Sequence, residues 1–358
     1  MDALTSAAGD SARAVRFTGN WREFLPIAIT NALLIIVTLG IYRFWAAARQ
    51  RRYLWSRTHV IDDSLEWTGT GKEMFIGFLI VLAILIPFFL FVQFLFPALI
   101  ARGKEGAAIG VFTLFYIAIL YLTGFARFRA LRYRLSRTWW HGIRGGSDNP
   151  GWNYGGEWLG RYALVGMTMF IMFPWATTRL WNSRWNAMSF GPLPFQADLT
   201  AEGLKRRWAA VYLVPIAVMI VGGIAAGVLG AAISPGATGL MAIFIGIAIL
   251  FYLVIPLMTL HWYAKFFRKA ADNTTLGDLG FGFDATTWDW LKLFLGNIGL
   301  AIVTLGFGLT YWGYRNWSFM VRHTHLYGSI DVGALTQSTV SAPSEAEGFA
   351  DAFDIGAI

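Results

Sequence analysis

Cysteine is absent from the chain, which excludes disulfides, thiolate metal sites and cysteine nucleophiles. Charge is scarce: Asp, Glu, Lys and Arg make up 14% of the 358 residues, against 56% hydrophobic, where soluble domains carry about 25%. With so few polar groups and a mean hydropathy of +0.52, the chain cannot cover a soluble globule of this size. Several apolar stretches approach the roughly 20 residues that cross a hydrocarbon core. The expected class is an all-α multi-pass membrane protein.

Chemistry-bearing patterns are also few. No Asp, Glu, Lys or Arg lies deep inside an apolar stretch, so the usual marker of a proton relay or ion pump is missing. No Gly-rich phosphate loop, Ser-His-Asp order or HExxH pattern occurs. His323 and His325 form a His-x-His without a carboxylate close in sequence. No enzyme, metal site or cofactor is expected.

The net charge is +8, drawn largely from Arg beside apolar stretches. This fits the positive-inside rule of inner-membrane proteins better than nucleic-acid binding. The first residues lack a basic region followed by an apolar one, so the first apolar segment is expected to act as its own insertion signal. Residues 1–14 are expected to be disordered, 15–331 to form one repeat-built membrane domain, and 332–358 to be a flexible polar tail.

About seven apolar segments follow one another: Phe24 to Tyr42, Met74 to Ile100, Ala107 to Ala126, Tyr162 to Trp175, Trp208 to Ile233, Leu240 to Trp262 and Leu291 to Tyr311. The links after the second and fifth are poor in Arg and Lys, so segments two–three and five–six read as spanning hairpins with external tips. Segments one, four and seven have basic residues on both flanks. Either they are short or re-entrant, broken near Thr38-Leu39-Gly40, Phe173-Pro174 and Thr304-Leu305-Gly306, or one or more crosses against the charge rule. The C-terminus is expected to be cytoplasmic.

A module recurs. Asn31…Val37-Thr38-Leu39-Gly40…Thr58-His59 matches Asn297…Val303-Thr304-Leu305-Gly306…Thr324-His325 without a gap. Short strand-like connectors, such as Ser64 to Gly69, precede the apolar segments. Asn20…Glu23, Thr70…Glu73 and Thr286…Asp289 each set a capping residue three positions before an acid, the capping-box spacing. These acids read as structural caps, with a proton or ion site as the sharper alternative.

Two further sets of residues stand out. Asn31 and Asn297, with Thr38 and Thr304, are candidates for a polar pathway, although buried amides more often join helices by hydrogen bonds. Trp45, Arg49, Arg52, Arg132, Arg179 and Arg315 lie in basic, aromatic pieces suited to an interface with anionic headgroups. Anionic membrane lipids are therefore the expected partners; self-association is left open.

The stretch NALLIIVTLGIYRFWAAARQRRYLWSRTHV, with LEWTGTGKEMF downstream, resembles the YjgN-like family of bacterial inner-membrane proteins, defined by a domain of unknown function. The likeness is most specific around Phe17 to Phe75 and Asn297 to His325. It implies a multi-pass inner-membrane protein and supplies no substrate or catalytic residue. Two roles are expected from the residues themselves: the repeats and the paired Asn31 and Asn297 favour a channel or transporter for a small neutral solute, and the Arg- and Trp-rich interfacial pieces favour a lipid-binding, envelope-organising scaffold.

Overall fold

The computed structural model describes residues 14–233, 237–338 and 340. The expectations for the N-terminal stretch, the Ser234-Pro235-Gly236 link and most of the tail thus bear on residues outside the described ones.

Most of the described chain is helical. Strand β1 (Val15–Phe17) leads into α1 (Trp21–Val37), which turns back as α2 (Arg43–Ser56) to β2 (Thr58–Val60). Strands β3 (Asp63–Ser64) and β4 (Glu66–Trp67) then lead into α3 (Gly71–Ala101), which returns as α4 (Glu105–Arg137) to β5 (Thr138–Trp140). Next come β6 (Ile143–Gly146), α5 (Trp152–Met167), α6 (Phe173–Trp185) and β7 (Ser189–Phe190). The order continues through β8 (Leu193–Ala197), α7 (Lys205–Ile233), α8 (Ala237–Asp272) and β9 (Thr274–Leu276). It goes on with β10 (Leu279–Phe283), α9 (Thr287–Val303), a 3₁₀ turn at Phe307–Tyr311, α10 (Trp312–His323), β11 (Thr324–Tyr327) and a last 3₁₀ turn at Val332–Ala334.

The all-α expectation needs correcting at the connectors. They are hydrogen-bonded strands, not merely strand-like links: β4 to β11 form one antiparallel eight-stranded sheet in sequence order, and β1 to β3 form a second sheet. Leu65 joins the two, its N–H donating to Thr58 O at 2.9 Å between β3 and β4. Tight turns make the neighbouring strands pair. His141 and Gly142 both have positive φ, +50° and +71°, the mirror-image turn whose twist suits a hairpin; it sets Trp140 opposite Ile143.

Among the described residues, α3 and α4 are the two helices long and apolar enough to cross a bilayer. α3 carries Pro87 and then a π-helical stretch, Phe91–Leu95; proline removes one N–H from the helical ladder, and such bulges re-register it. The fourth apolar segment, Tyr162 to Trp175, is not one helix: it straddles a turn from Thr168 to Met172, and Phe173-Pro174, where the break was expected, opens α6. The helices α1, α5 and α9 that begin or carry the first, fourth and seventh segments are 17, 16 and 17 residues long and stop at a turn. At about 1.5 Å per residue each reaches about 25 Å.

The core lies where helix bases meet strands. One cluster gathers Phe128, Trp140, Phe190, Phe195 and Leu276; another gathers Phe24, Phe44, Trp55, Trp67, Tyr133 and Tyr314. The second cluster joins the first and last helical pairs, with Phe24 stacked on Tyr314 at 5.0 Å between centroids. Glycine permits one close helix approach: a Cβ on Gly124 would lie 2.3 Å from Trp158 Cβ.

Candidate functional site

The most regular local geometry is the turn that ends each short helix. Thr38 Oγ1 donates to Leu34 O at 2.7 Å and accepts from the N–H of Tyr42 at 2.9 Å. Thr304 Oγ1 donates to Leu300 O at 2.6 Å and accepts from Gly308 N–H at 2.7 Å. Thr168, which the sequence reading passed over, donates to Leu164 O at 2.8 Å and accepts from Met172 N–H at 3.4 Å. After each threonine the backbone enters the left-handed region, at Leu39 and Gly40, Met169 and Phe170, and Leu305 and Gly306. The shared signal is a Leu four residues before the Thr.

These turns expose large apolar side chains. Leu39 is 94% exposed, Met169 78% and Leu305 90%, with Val37, Met167, Ile171 and Val303 exposed beside them. Both hydrogen-bonding roles of the Thr38 and Thr304 hydroxyls are thus spent inside the turns.

Asn31 lines a cleft of about 460 Å³ between the first and last helical pairs, together with Gly40, Arg43, Gln50, Gly306 and Thr310. Its Nδ2 donates to Ala46 O at 3.4 Å, while its buried Oδ1 has no hydrogen-bond partner. Asn297 does not line this cleft. Its Nδ2 donates to Asn316 Oδ1 at 2.8 Å and its backbone carbonyl accepts from Trp312 Nε1 at 3.0 Å, while its Oδ1, like that of Asn31, is buried without a partner. The two amides occupy corresponding sequence positions but do not meet in one site.

Two of the three acids, Glu73 and Asp289, act as caps, and Glu23 does not. Thr70 with Glu73 and Thr286 with Asp289 form complete capping boxes. Asn20 caps α1 by accepting from Arg22 N–H, while Glu23 turns to Arg57 Nη2 at 2.8 Å. Glu73 is also the centre of a network: it accepts from Tyr133 Oη at 2.7 Å and from Arg137 Nη2 at 3.0 Å. That pair is largely buried, so its geometry carries weight.

Of the basic candidates, Arg49, Arg52 and Arg179 are exposed, Trp45 is 37% exposed and Arg315 is half-buried. Arg132 differs: it is buried and its Nη1 donates to Asn149 O at 3.2 Å, which fastens the loop before α5. The carboxylate that His323 and His325 lack in sequence arrives from Asp284, which meets His325 Nε2 at 2.9 Å and His323 Nδ1. Burial opposes ionisation of Asp284, but the hydrogen bonds from His325 and His323 outweigh it and hold the carboxyl below its ordinary value. Among the described residues no group of three or more His, Asp or Glu is arranged to hold a metal ion.

A family model described as a bacterial protein of unknown function, DUF898, matches residues 12–352. The chain is 29% identical over 146 residues to the inner membrane protein YjgN of Salmonella typhimurium, covering 41% of this chain and 34% of that protein. It is 32% identical over 129 residues to the inner membrane protein YjgN of Escherichia coli O157:H7, covering 36% and 29%. The matched stretch thus spans about a third of the length of these relatives. No solved structure matches the chain.

Proposed function

We propose, from the premise that this chain belongs to the DUF898 family of bacterial proteins of unknown function, that it is a multi-pass inner-membrane scaffold that binds and organises anionic lipid. The observation that carries this reading is the exposed apolar tip on each of the three short helical hairpins. Exposed apolar patches mark partner or membrane surfaces, and here the patches cap elements only about 25 Å long. In this reading five copies of a strand–helix–helix–strand unit follow one another. The first, third and fifth dip into the bilayer from the cytoplasmic side, and the second and fourth cross it. The strands and the basic ends of the returning helices then face the cytoplasm, with the C-terminus, and Arg49, Arg52 and Arg179 hold headgroups. Catalysis has no part in this reading.

Lipid retention tests it. The purified protein, exchanged into nanodiscs of equal phosphatidylglycerol and phosphatidylcholine, is expected to carry phosphatidylglycerol through native mass spectrometry. The triple variant Arg49→Gln, Arg52→Gln, Arg179→Gln is expected to lose that preference. Equal retention of the two lipids by the parent protein would contradict the reading.

A second reading, passage of a small neutral solute, is favoured by one observation: the unpartnered Asn31 Oδ1 in its cleft. In that reading Asn31→Leu abolishes solute flux in proteoliposomes, whereas Asn297→Leu, outside the cleft, leaves it unchanged. Flux that survives Asn31→Leu removes the cleft from consideration.

A further inference from the structure

Away from the Asn31 cleft, a cavity of about 270 Å³ lies among α4, α5, α6 and α8. Its walls are largely aromatic, yet two arginines line it: Arg127 from α4 and Arg184 from α6. Arg184 is only 3% exposed, and its Nε and Nη1 are buried with no hydrogen-bond partner. Arg127 Nε is likewise buried without a partner.

Each guanidinium is presented by an indole. Arg184 lies over the Trp181 ring at 5.7 Å from its centroid, and Arg127 over Trp158 at 5.1 Å. A ring face supports the cation but leaves its N–H edges unused. No Asp or Glu lines the cavity. The acid that α5 carries, Glu157, is occupied by Arg161 and by Ser183 Oγ at 2.6 Å.

Two cations on one partly open cavity with no acid in its lining repel each other, and their buried N–H edges lose hydration that no carboxylate replaces. A planar guanidinium fork is matched to the oxygens of a phosphate. We propose that the cavity between Arg127 and Arg184 is a binding site for a phosphate group, free or carried by a lipid. It is separate from the exposed Arg49, Arg52 and Arg179 and stands whether or not those bind headgroups. The aromatic walls exclude water around the anion and carry the indoles that report its arrival.

The test measures thermal stability and tryptophan fluorescence of the full chain in a neutral detergent, against inorganic phosphate and then against micelles doped with dioctanoyl phosphatidylglycerol. Potassium chloride at equal ionic strength is the control. Arg127→Gln and Arg184→Gln are each expected to weaken binding by about tenfold or more, the loss that accompanies removal of a charged hydrogen bond. The exposed Arg322→Gln is expected to bind as the parent does. Should Arg184→Gln fail to fold, Arg184→Lys, which keeps the charge and loses the fork, is read in its place beside Arg127→Gln. A response to phosphate alone identifies a free anion, and a response confined to the lipid identifies a headgroup; both support the site. No response to either probe, or a response that the Arg127 and Arg184 variants leave intact, overturns it.

Discussion

The Trp317 indole N–H donates to Thr58 Oγ1 at 2.8 Å, joining residues 259 apart in sequence. The Thr58 hydroxyl passes the bond on to Leu54 O at 2.8 Å, and the Trp317 ring stacks on Trp55 at 4.0 Å. The last helix therefore closes onto the first strands, and Tyr314 adds a bond to Gly19 O at 2.9 Å. Removing the indole donor by Trp317→Phe, or the hydroxyl by Thr58→Val, is expected to cost about 1 kcal/mol each. Because the two act on one bond, the double variant should cost clearly less than the sum, which a double-mutant cycle on unfolding in detergent checks.

Glu73 and Glu23 occupy corresponding positions but should differ in importance. The Glu73–Arg137 pair has side-chain exposures of 14% and 19%, while the Glu23–Arg57 pair has 48% and 45%. Glu73→Gln leaves Arg137 buried without its carboxylate and is expected to destabilise by about 2 kcal/mol. Glu23→Gln acts on a half-exposed, solvent-screened pair and should cost about 0.5 kcal/mol. Equal losses for the two variants would show that the buried network does not act as described.

The threonine turns should be worth similar amounts wherever they occur. Thr304→Val removes a donor to Leu300 O and an acceptor for Gly308 N–H while keeping the side-chain volume. It is expected to cost about 1 kcal/mol, as is Thr168→Val. Thermal unfolding of the purified variants in one detergent compares them directly.

Asp284 makes the acid limb of stability testable. Its carboxyl is depressed in the folded state by His325 and His323. A depressed carboxyl contributes stability that is complete above its ordinary value of 3.8 and is lost as pH falls through the lowered folded value. Asp284→Asn should therefore lower stability at neutral pH and flatten its decline below about pH 4. Parallel acid limbs for parent and variant would show that the two imidazoles do not stabilise the carboxylate.

Local features were legible in the sequence, and distant pairings were not. The capping boxes at Thr70 and Thr286 and the breaks at Thr38 and Thr304 follow from a few adjacent residues, so the pattern alone located them. The strands are two to five residues long, too short for a periodic signal, and the pairing of Phe195 with Leu276 depends on two long helices between them. The same distance hid the Arg127–Arg184 cavity. Each arginine sits in a basic, aromatic piece that reads as an interface anchor, and only packing brings the two together. Asn31 and Asn297 erred in the opposite direction: equivalence in sequence did not put them in one site, because each is held by its own returning helix.

The central claim is that the three hairpin tips lie within lipid. Because the chain has no cysteine, Leu39→Cys, Met169→Cys and Leu305→Cys can each carry a single spin label in nanodiscs. Power-saturation measurements against oxygen, which partitions into lipid, and a water-soluble nickel chelate report where each label sits. All three labels are expected to be oxygen-accessible and protected from nickel, with Ser56→Cys, at the base of the first hairpin, showing the reverse. Nickel accessibility at the tips equal to that at Ser56 would contradict the account.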